Sequence, residues 1–252
     1  MRIIARLDIK GPNLIKSVNL EGLRVVGDPN SFAIKYYNEG ADEILFLDCV
    51  VSLYSRSSLY NIIKKASKDI FVPLTVGGGI RSLEDASKIF ESGADKIAIN
   101  SEAVRNPKLI SEIAKKYGSQ ALVVSVEAKK HDENFWEVFI ESGKQNTGLN
   151  VLDWTRKAID LGAGEILLTS VDREGTRKGF DLELFKNISE IITVPLIFSG
   201  GFGKTQHLKD LVDLGNVDAI AIADSIHYNR MSLREIRNEA IKLNIEVRPF
   251  KQ

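Results

Sequence analysis

The chain has 252 residues, of which 44% are apolar and 27% charged, as in an ordinary globular protein. Lys+Arg and Asp+Glu number 34 each, so no net field attracts nucleic acid or an anionic membrane surface. The single Cys49 excludes an internal disulfide and suits a reducing compartment. No export signal follows Met1, and no apolar run approaches the roughly 20 residues that span a bilayer. We therefore expect a cytoplasmic protein without nucleic-acid or membrane partners.

Short β-branched segments alternate with longer amphipathic segments along the chain. The predicted strands are, in chain order, residues 2–7, 43–47, 71–76, 96–99, 121–126, 165–169, 196–198 and 219–222. They are almost continuously apolar, as expected for parallel strands covered on both faces. Amphipathic segments such as 83–91, 107–116 and 182–191 predict helices between them. Eight such units in about 250 residues predict an α/β protein with a single (β/α)8 TIM barrel, and an open doubly wound sheet is the alternative.

Two segments depart from this alternation. Residues 129–147, after the fifth predicted strand, are longer than the usual connection of about 2–6 residues. Their alternating centre, Trp136-Glu-Val-Phe-Ile, predicts a small β-hairpin inserted into the barrel. Residues 11–28, after the first strand, are predicted to form a long loop. No linker or low-complexity run divides the chain, so one barrel domain spanning residues 1–252 is expected.

Three pairs of segments recur along the chain at nearly one offset. Gly40-Ala-Asp-Glu-Ile-Leu recurs from Gly162, and Val72-Pro-Leu recurs from Val194, so both offsets are 122 residues (40 to 162 and 72 to 194). The segment that begins at Gly93 recurs at nearly the same offset. Solenoid units have only about 20–50 residues. The repeat therefore predicts two fused, duplicated half-barrels, each with its own copy of the binding loops.

Two carboxylates stand at equivalent places in this repeat. Asp8 ends the first predicted strand, and Glu127 follows the fifth. Functional groups of such barrels lie at the carboxyl ends of the strands, so we expect the two to face each other across the barrel mouth. Opposed carboxylates suit acid–base catalysis, in which one group takes a proton while the other gives one. The alternative is that each caps a helix or pairs with Lys10 or Lys129.

Glycine-rich turns follow the third and seventh predicted strands, and polar pairs follow the fourth and eighth. Such turns let backbone N–H groups approach an anion. Two of them predict two phosphate sites on opposite sides of the mouth, and hence a substrate with a phosphate at each end, although tight turns alone also require glycine. The residues are Gly79, Asn100 and Ser101 at the first site, and Ser199, Gly200, Gly201, Asp224 and Ser225 at the second.

Other groups at or beyond strand ends are candidates for contact with the substrate. They are Asp48, Thr169 and Gly175, together with Lys16, which could close over a phosphate from the segment 11–28. The histidines show no metal-ligand spacing with one another or with Cys49. No metal or other cofactor is therefore expected.

Several motifs match one known family. They are Leu7-Asp8-Ile-Lys10, Gly27-Asp28-Pro29, residues 41–48, residues 73–81 (Pro-Leu-Thr-Val-Gly-Gly-Gly-Ile-Arg), Gly93-Ala-Asp-Lys96 and residues 162–170. On these motifs the chain resembles, over essentially its whole length, the cyclase subunits of imidazole glycerol phosphate synthase. The resemblance implies a (β/α)8 barrel that receives ammonia from a separate glutaminase subunit docked on its amino-terminal face. It also implies that this ammonia is added to a bisphosphorylated ribulosyl-formimino nucleotide, giving imidazole glycerol phosphate and aminoimidazole carboxamide ribotide in histidine biosynthesis.

The resemblance also implies roles for individual residues. Asp8 matches the first catalytic aspartate of the family, Glu127 falls where the family has its second, and Lys16 matches the lysine of its first loop. The family's two phosphate sites align with the two glycine loops. At the opposite end, the charged ring through which ammonia enters matches Arg2, Glu43, Lys96 and Glu165. From the residues alone, such a ring is equally consistent with a mutually paired salt-bridge network.

Four residues near the mouth depart from the family pattern. Glu127 and Glu174 stand where the pattern has aspartates. Arg6 replaces a cysteine, and its cation is expected to hold Asp8 ionised. Asp224 replaces an alanine at the second phosphate site, where a carboxylate repels phosphate unless it points away or a cation intervenes. Two alternatives stay open: a paralogue that uses ammonia to convert an acetamido sugar to an amidine in surface-glycan synthesis, and a non-catalytic barrel that scaffolds a glutaminase.

Overall fold

A closed ring of eight parallel strands forms the centre of this protein in a computed structural model, which describes residues 1–49 and 53–250. The strands of the described residues are β1 (Arg2–Lys10), β2 (Asn13–Val18), β3 (Glu21–Gly27), β4 (Glu43–Asp48), β5 (Leu74–Gly77), β6 (Lys96–Ile99), β7 (Leu122–Asp132), β8 (Phe135–Ile140), β9 (Gln145–Asn150), β10 (Glu165–Ser170), β11 (Leu196–Ser199) and β12 (Ala219–Ile222). Around the ring the order is β1, β4, β5, β6, β7, β10, β11 and β12, and the pairing of β12 with β1 closes it. The predicted TIM barrel is confirmed.

Helices cover the outside of the ring. Those of the described residues are α1 (Pro29–Asn38), α2 (Leu53–Asp69), α3 (Leu83–Glu91), α4 (Ser101–Arg105), α5 (Lys108–Tyr117), α6 (Val151–Asp160), α7 (Leu182–Ser189), α8 (Gln206–Val212), α9 (Asp224–His227) and α10 (Leu233–Lys242). The start of α3 is typical: the Ser82 hydroxyl accepts from the backbone N–H of Asp85 and caps the helix. The buried face of α3 then presents Ala86 and Ile89 to the core between helices and strands.

The inside of the barrel has three levels. Along β1 the odd-numbered residues join the outer core, so Arg2, Ile4, Arg6 and Asp8 point inward. The charged ring of Arg2 lies at the amino-terminal end, and the polar groups around Arg6 and Asp8 lie at the mouth. Between them is a packed apolar level formed by Ile4, Leu45, Ala98, Val123, Leu167, Ile197, Ala219 and Ala221.

The sequence repeat reappears in matching contacts of the two halves. The Asp95 carboxylate accepts a hydrogen bond from the backbone N–H of Leu74 at 2.8 Å. In the second half, the Asp218 carboxylate accepts from the N–H of Leu196 at 2.9 Å. Each aspartate thus ties the start of one strand to the start of the next in the same way, as duplicated half-barrels require.

The structure corrects two predicted elements and confirms a third. β5 begins at Leu74 rather than at residue 71, because Phe71 stands 78% exposed ahead of the barrel. Residues 11–28, predicted as a loop, form the antiparallel hairpin β2–β3, which continues from β1. The hairpin predicted within residues 129–147 is present as β8 and β9: β8 pairs antiparallel with the long end of β7, and β9 pairs antiparallel with β8.

The predicted domain of residues 1–252 includes residues 50–52 and 251–252, which lie outside the described residues. Among the residues that the structure describes, none of the helices is both long and apolar enough to cross a membrane.

Candidate active site at the barrel mouth

Four charged side chains form a buried cluster at the carboxyl end of β1. Arg6 Nε donates to Asp8 Oδ1 at 2.9 Å, and Lys16 Nζ lies 3.7 Å from Asp8 Oδ2. Lys16 also pairs directly with Glu174, which lies 3.7 Å from Arg6 Nη1. All four side chains are almost fully buried. Two cations and two carboxylates therefore balance each other in a site nearly closed to solvent.

This cluster keeps Asp8 ionised. Burial opposes ionisation, but Arg6 and Lys16 beside the carboxyl group hold the pKa of Asp8 below its ordinary value. Arg6 is itself fixed by two hydroxyls, because Nη1 donates to Thr169 Oγ1 and to Ser199 Oγ, each at 3.1 Å. Asp8 Oδ2 makes no hydrogen bond to any of the described residues. The carboxylate thus keeps an acceptor atom for a ligand.

Glu127 lies on β7, the barrel strand opposite β1 in the ring. Burial raises the pKa of Glu127 to about 7, although the backbone N–H of Gly143 donates to its Oε2 at 2.8 Å and Arg6 also favours the charged form. The negative charge of Asp8 adds to the rise. Near neutral pH, Asp8 is therefore ionised while Glu127 still carries a proton in part of the molecules. Such a pair can take one proton and give another.

The first glycine loop borders a cavity of about 150 Å³ beside Glu127. Its lining includes the predicted Asp48, Gly79, Asn100 and Ser101. The turn itself requires glycine: Gly78 has φ +108°, and a Cβ there would lie 2.4 Å from the backbone oxygen of Asp48. The predicted residues of this side are thus brought together at one cavity.

Two arginines join them in the same cavity, Arg81 and Arg105. Arg105 pairs with Glu141 of the inserted hairpin at 2.7 Å. Guanidinium groups bind phosphate through paired N–H donors, so this side has the composition of an anion site.

The second glycine loop has the same left-handed backbone as the first but different side chains around it. Gly200 and Gly201 have φ +104° and +97°, and a Cβ on Gly201 would lie 2.0 Å from the backbone oxygen of Gly179. Ser225 is fully buried, and its hydroxyl donates to the backbone oxygen of Phe202 at 3.0 Å. The Ser225 side chain is therefore already engaged within the loop.

Asp224 lies at this loop between two arginines. Its Oδ1 is 3.4 Å from Arg177 Nε and 3.6 Å from Arg230 Nε, and its side chain is 11% exposed. Oδ1 makes no hydrogen bond to the described part of the chain. The cavity beside Glu127 is lined by the first loop and not by Gly200, Gly201, Asp224 or Ser225.

The hairpin β2–β3 closes over the mouth. The backbone N–H of Asn19 donates to the backbone oxygen of Glu174 at 2.8 Å, and Leu20 lines the cavity. Gly175, predicted as a substrate contact, lies beneath this hairpin: a Cβ there would be 2.5 Å from the backbone oxygen of Ser17. The structure therefore gives Gly175 a part in seating the hairpin.

At the opposite end, the predicted ring of four charges is assembled. Arg2 Nη1 and Lys96 Nζ each lie 2.8 Å from Glu43 Oε2. Lys96 Nζ is also 2.8 Å from Glu165 Oε2, and Arg2 pairs with Glu165. Thr75 donates to Glu43 Oε1 at 2.6 Å. Each cation thus bridges both carboxylates, which are buried, while the Arg2 side chain keeps 33% exposure.

Sequence reasoning missed several cations and one hydroxyl. Arg81 follows the first glycine turn directly, so its position beside that turn was open to prediction. Arg105, Arg177 and Arg230 come from helix ends and loops whose approach depends on the fold, and no motif marks them. Thr75 joins the ring because on β5 it lies in register with Lys96 of β6, where its hydroxyl reaches Glu43.

The chain matches the family model described as "Histidine biosynthesis protein" over residues 2–232. Among curated relatives, a Legionella pneumophila protein is 56% identical over 209 residues, covering 83% of this chain and 99% of the relative. A protein of Alkaliphilus metalliredigens (strain QYMF) is 44% identical over 98% of each chain. A protein of Prochlorococcus marinus (strain NATL1A) is 42% identical over 99% of this chain and 98% of the relative.

All three relatives carry the name imidazole glycerol phosphate synthase subunit HisF. On the extent of the family match and the identity to these relatives, the chain belongs to the histidine biosynthesis protein family.

Proposed function

We propose that this chain is the cyclase subunit of imidazole glycerol phosphate synthase, an enzyme of histidine biosynthesis. It adds ammonia to the bisphosphorylated ribulosyl-formimino-aminoimidazole carboxamide nucleotide and releases imidazole glycerol phosphate and aminoimidazole carboxamide ribotide. One observation carries the proposal: Asp8, beside Arg6 and Lys16, and Glu127, which accepts from the backbone N–H of Gly143, meet at one mouth from opposite strands, and the pKa of Asp8 is lowered while that of Glu127 is raised to about 7. The HisF relatives support the same reaction. A cytoplasmic location is part of this proposal.

Ammonia enters the barrel through the charged ring after at least one of its ion pairs opens. Beyond the ring it meets the packed apolar level, whose members include Ile4, Leu45 and Leu167. Moving an ammonium ion through such surroundings costs far more than moving neutral ammonia. Nitrogen therefore reaches the mouth as ammonia, next to Arg6, which lies one inward position beyond Ile4 on β1.

At the mouth, the nitrogen lone pair attacks the ketone carbon of the ribulosyl chain, and the C=O π electrons move onto the oxygen. Asp8 takes a proton from the added nitrogen, and Glu127 gives a proton to the oxygen, so a neutral carbinolamine forms. Asp8 then returns its proton to the departing oxygen, which leaves as water, while Glu127 takes a proton from nitrogen. These steps give an imine and one water, and both carboxyl groups regain their first states. The imine tautomerises to an enamine, and its nitrogen attacks the formimino carbon to close the ring. Two protons then pass from the ring nitrogens to the aminoimidazole nitrogen, and the C–N bond to it breaks, which releases aminoimidazole carboxamide ribotide and leaves imidazole glycerol phosphate.

The phosphates of the nucleotide are assigned to the two glycine loops. One phosphate lies in the cavity with Gly79, Asn100 and Ser101, where Arg81 and Arg105 add charge. The other is assigned to the loop of Gly200, Gly201 and Ser225. The part of the substrate between the two phosphates is assigned to four polar side chains of the mouth, Lys16, Asp48, Thr169 and Ser199.

Turnover of this nucleotide with ammonium chloride tests the function without a glutaminase. We expect product formation by the native chain, and a loss of about a hundredfold or more in kcat for Asp8→Asn, because a positioned base contributes at least that much. Asp132→Asn, on the exposed end of β7, is the matched control and should keep the native rate. A native chain that binds a glutaminase tightly but never converts the nucleotide would exclude the histidine role.

The partner is a glutaminase subunit, and its docking face is the amino-terminal end of the barrel. Phe71 supports this proposal, because it stands 78% exposed ahead of β5, on the side of the ring, with its ring centroid 6.3 Å from that of Tyr37. Exposed aromatic groups are frequent anchors of protein interfaces.

The variant Phe71→Ser tests this docking face. It should weaken the complex with the glutaminase by about tenfold or more, measured by calorimetry, and leave ammonium-dependent turnover unchanged. Val25→Ser changes an apolar side chain with 67% exposure on the opposite face and should leave the complex intact. Equal effects of both variants would contradict docking at the ring.

A second candidate function keeps the ammonia route and changes the acceptor to an acetamido sugar, which becomes an amidine. The carboxylate of Asp224 at the second glycine loop favours it, because the bisphosphorylated nucleotide needs an anion site there. Parallel assays of the nucleotide and of an acetamido sugar nucleotide with ammonium chloride separate the two. A non-catalytic scaffold is disfavoured by the buried acid–base pair, and it predicts no ammonia-dependent product from either acceptor.

A further inference from the structure

The turn between β8 and β9, residues 141–143, borders the cavity of the first glycine loop. Glu141 and Ser142, which line that cavity, have φ +55° and +56°, and Gly143 has φ +74°. Residues that carry a Cβ populate this left-handed region sparsely. Contacts outside the turn must therefore hold its backbone in place.

Two of these contacts come from the phosphate side of the cavity. Arg105 Nη2 lies 2.7 Å from Glu141 Oε1, and the backbone N–H of Glu141 donates to Ser101 Oγ at 3.0 Å. Ser101 begins α4 and Arg105 ends it, and both line the cavity together with Glu141. Glu141 is thus paired with one of the cations that are assigned to a substrate phosphate.

The other end of the same turn reaches the proposed acid. The backbone N–H of Gly143 donates to Glu127 Oε2 at 2.8 Å. A hydrogen bond donated to a carboxylate favours the charged form, so this contact opposes the rise that burial causes in the pKa of Glu127. The other ionisable groups that act on Glu127 or face it are Arg6 and Asp8 of β1, Cys49 after β4, and Glu141 itself. Three consecutive residues therefore join the partner of a phosphate-binding cation to a donor that adjusts the acid.

We propose that Glu141 is a positioning residue for Glu127, which it couples to the occupancy of the first glycine loop. A phosphate in this cavity competes with the Glu141 carboxylate for Arg105 and also repels it. Once Glu141 leaves Arg105, the turn relaxes from its left-handed backbone and the N–H of Gly143 leaves Glu127. Glu127 then holds its proton more tightly while the substrate is in place. The inference rests on the proposed function, which assigns a phosphate to this loop and the acid role to Glu127.

Amide hydrogen exchange of the whole chain, with inorganic phosphate as the probe, tests the release of the turn. The reference sample contains sodium chloride at the same ionic strength and pH. Phosphate should shift the amide signal of Ser101 and speed exchange at Gly143 by about threefold to fivefold, the amount that an exposed ion pair contributes to a local opening equilibrium. Gly148 is the internal reference and should not respond, because its N–H donates to Glu137 within the same hairpin at 2.6 Å.

The variant Glu141→Ala removes the carboxylate that pairs with Arg105. Gly143 should exchange fast in this variant with or without phosphate, so its response to phosphate is lost. Glu183→Ala is the matched control and should respond like the native chain, because it breaks a similar exposed pair, with Lys130 at 2.6 Å, away from the turn.

Carbon NMR of the Glu127 carboxyl group gives a second readout. The charge of phosphate acts on Glu127 in every variant, so the coupling is the difference between chains. Phosphate should raise the proton affinity of Glu127 about threefold more in the native chain than in Glu141→Ala, because only the native chain still has the Gly143 hydrogen bond to lose.

Four results would each overturn the inference: no faster exchange at Gly143 in the native chain with phosphate, an equal response in Glu141→Ala, an equal response at Gly148, or a Ser101 signal that phosphate leaves unmoved. Nucleotide turnover is measured separately. Turnover without the Gly143 response contradicts the coupling alone, and the Gly143 response without turnover contradicts the proposed function alone.

Discussion

At the scale of single residues, burial and neighbouring charge move two carboxyl groups in opposite directions. Both groups lie in the same mouth, yet only Asp8 has two cations beside it. Glu127 has a single backbone donor from Gly143 and lies farther from the cations, so the cost of burying its charge dominates. The difference in neighbours, rather than in residue type, assigns the two roles.

The pKa of Glu127 predicts the alkaline side of the activity profile. Because Glu127 must carry a proton to act as the acid, the rate referred to unprotonated ammonia should fall as the pH rises through about 7. The variant Glu127→Gln should turn over slowly, and its rate should not fall as the pH rises through about 7. The measurement is ammonium-dependent turnover from about pH 5.5 to about pH 8.5, roughly the range around that pKa. A native profile that stays level across this range would contradict the assignment.

The same shift has a signature in stability. The folded pKa of Glu127 lies above its unfolded value, so the folded chain binds the proton more tightly and loses stability as the pH rises from about 4.5 to about 7. Because part of the Glu127 side chain faces the mouth, where water weakens the effect of burial, the loss in the free energy of unfolding is on the order of 2 kcal/mol. Glu127→Gln should therefore gain stability relative to the native chain over this interval, as denaturant titrations at both ends would measure.

Residue-scale prediction from the sequence succeeded where one neighbour dominates. Arg6 is two positions from Asp8 on a strand, so both point inward, and the expected ionised state of Asp8 is confirmed by its lowered pKa. The direction for Glu127 was out of reach, because it depends on a hairpin that covers the carboxyl group. Its assignment as the acid remains a prediction.

At the scale of elements, the hairpin β2–β3 carries Lys16 into the buried cluster. Lys16 lowers the pKa of Asp8 only while the hairpin is seated on Glu174 and Gly175. A substrate phosphate that drew Lys16 away would remove one of the two cations and make Asp8 a stronger base.

The variant Lys16→Met tests this coupling. Loss of a cation raises the pKa of a carboxyl group, so the acid side of the activity profile should move to higher pH. Lys10→Met, at the exposed end of β1, is the control and should leave the profile in place. A profile for Lys16→Met that keeps the native acid side while kcat falls would show that Lys16 acts on the substrate alone.

The two hairpins also show what pattern reasoning can reach. Residues 129–147 contain an alternating aromatic and β-branched centre, and the predicted hairpin is present there. Residues 11–28 carry a weaker alternation with exposed apolar groups such as Val25, and they form a hairpin because β1 continues into β2 as its template. Long-range pairing of this kind is invisible in a local pattern.

At the scale of the whole molecule, the repeat predicted the architecture better than it predicted the contacts. The offset of the two halves places Glu43 and Glu165 at equivalent strand starts, and both belong to one ring. The offset does not predict the positions of Arg2 and Lys96, which have no equivalents in the other half and each bridge both carboxylates. The two glycine loops are likewise equivalent in backbone and different in charge.

The ring predicts a large effect of removing one charge from it. Lys96→Met leaves Glu43 and Glu165 facing each other with Arg2 alone, so unfolding should become easier by on the order of 2 kcal/mol. Lys88→Met breaks an exposed pair with Glu84 and should have no measurable effect. Urea titrations of both variants give the comparison, and equal midpoints for the two would mean that the ring contributes nothing to stability.

The apolar level inside the barrel has a further consequence for the chemistry above it. A passage that admits nitrogen only as neutral ammonia leaves the fourth proton of ammonium behind, so the nucleophile arrives at the mouth unprotonated. Side chains of the mouth must therefore accept each proton that the added nitrogen loses and later return it to the substrate. The barrel can therefore turn over repeatedly only if its acid and its base both return to their starting protonation states at the end of each cycle.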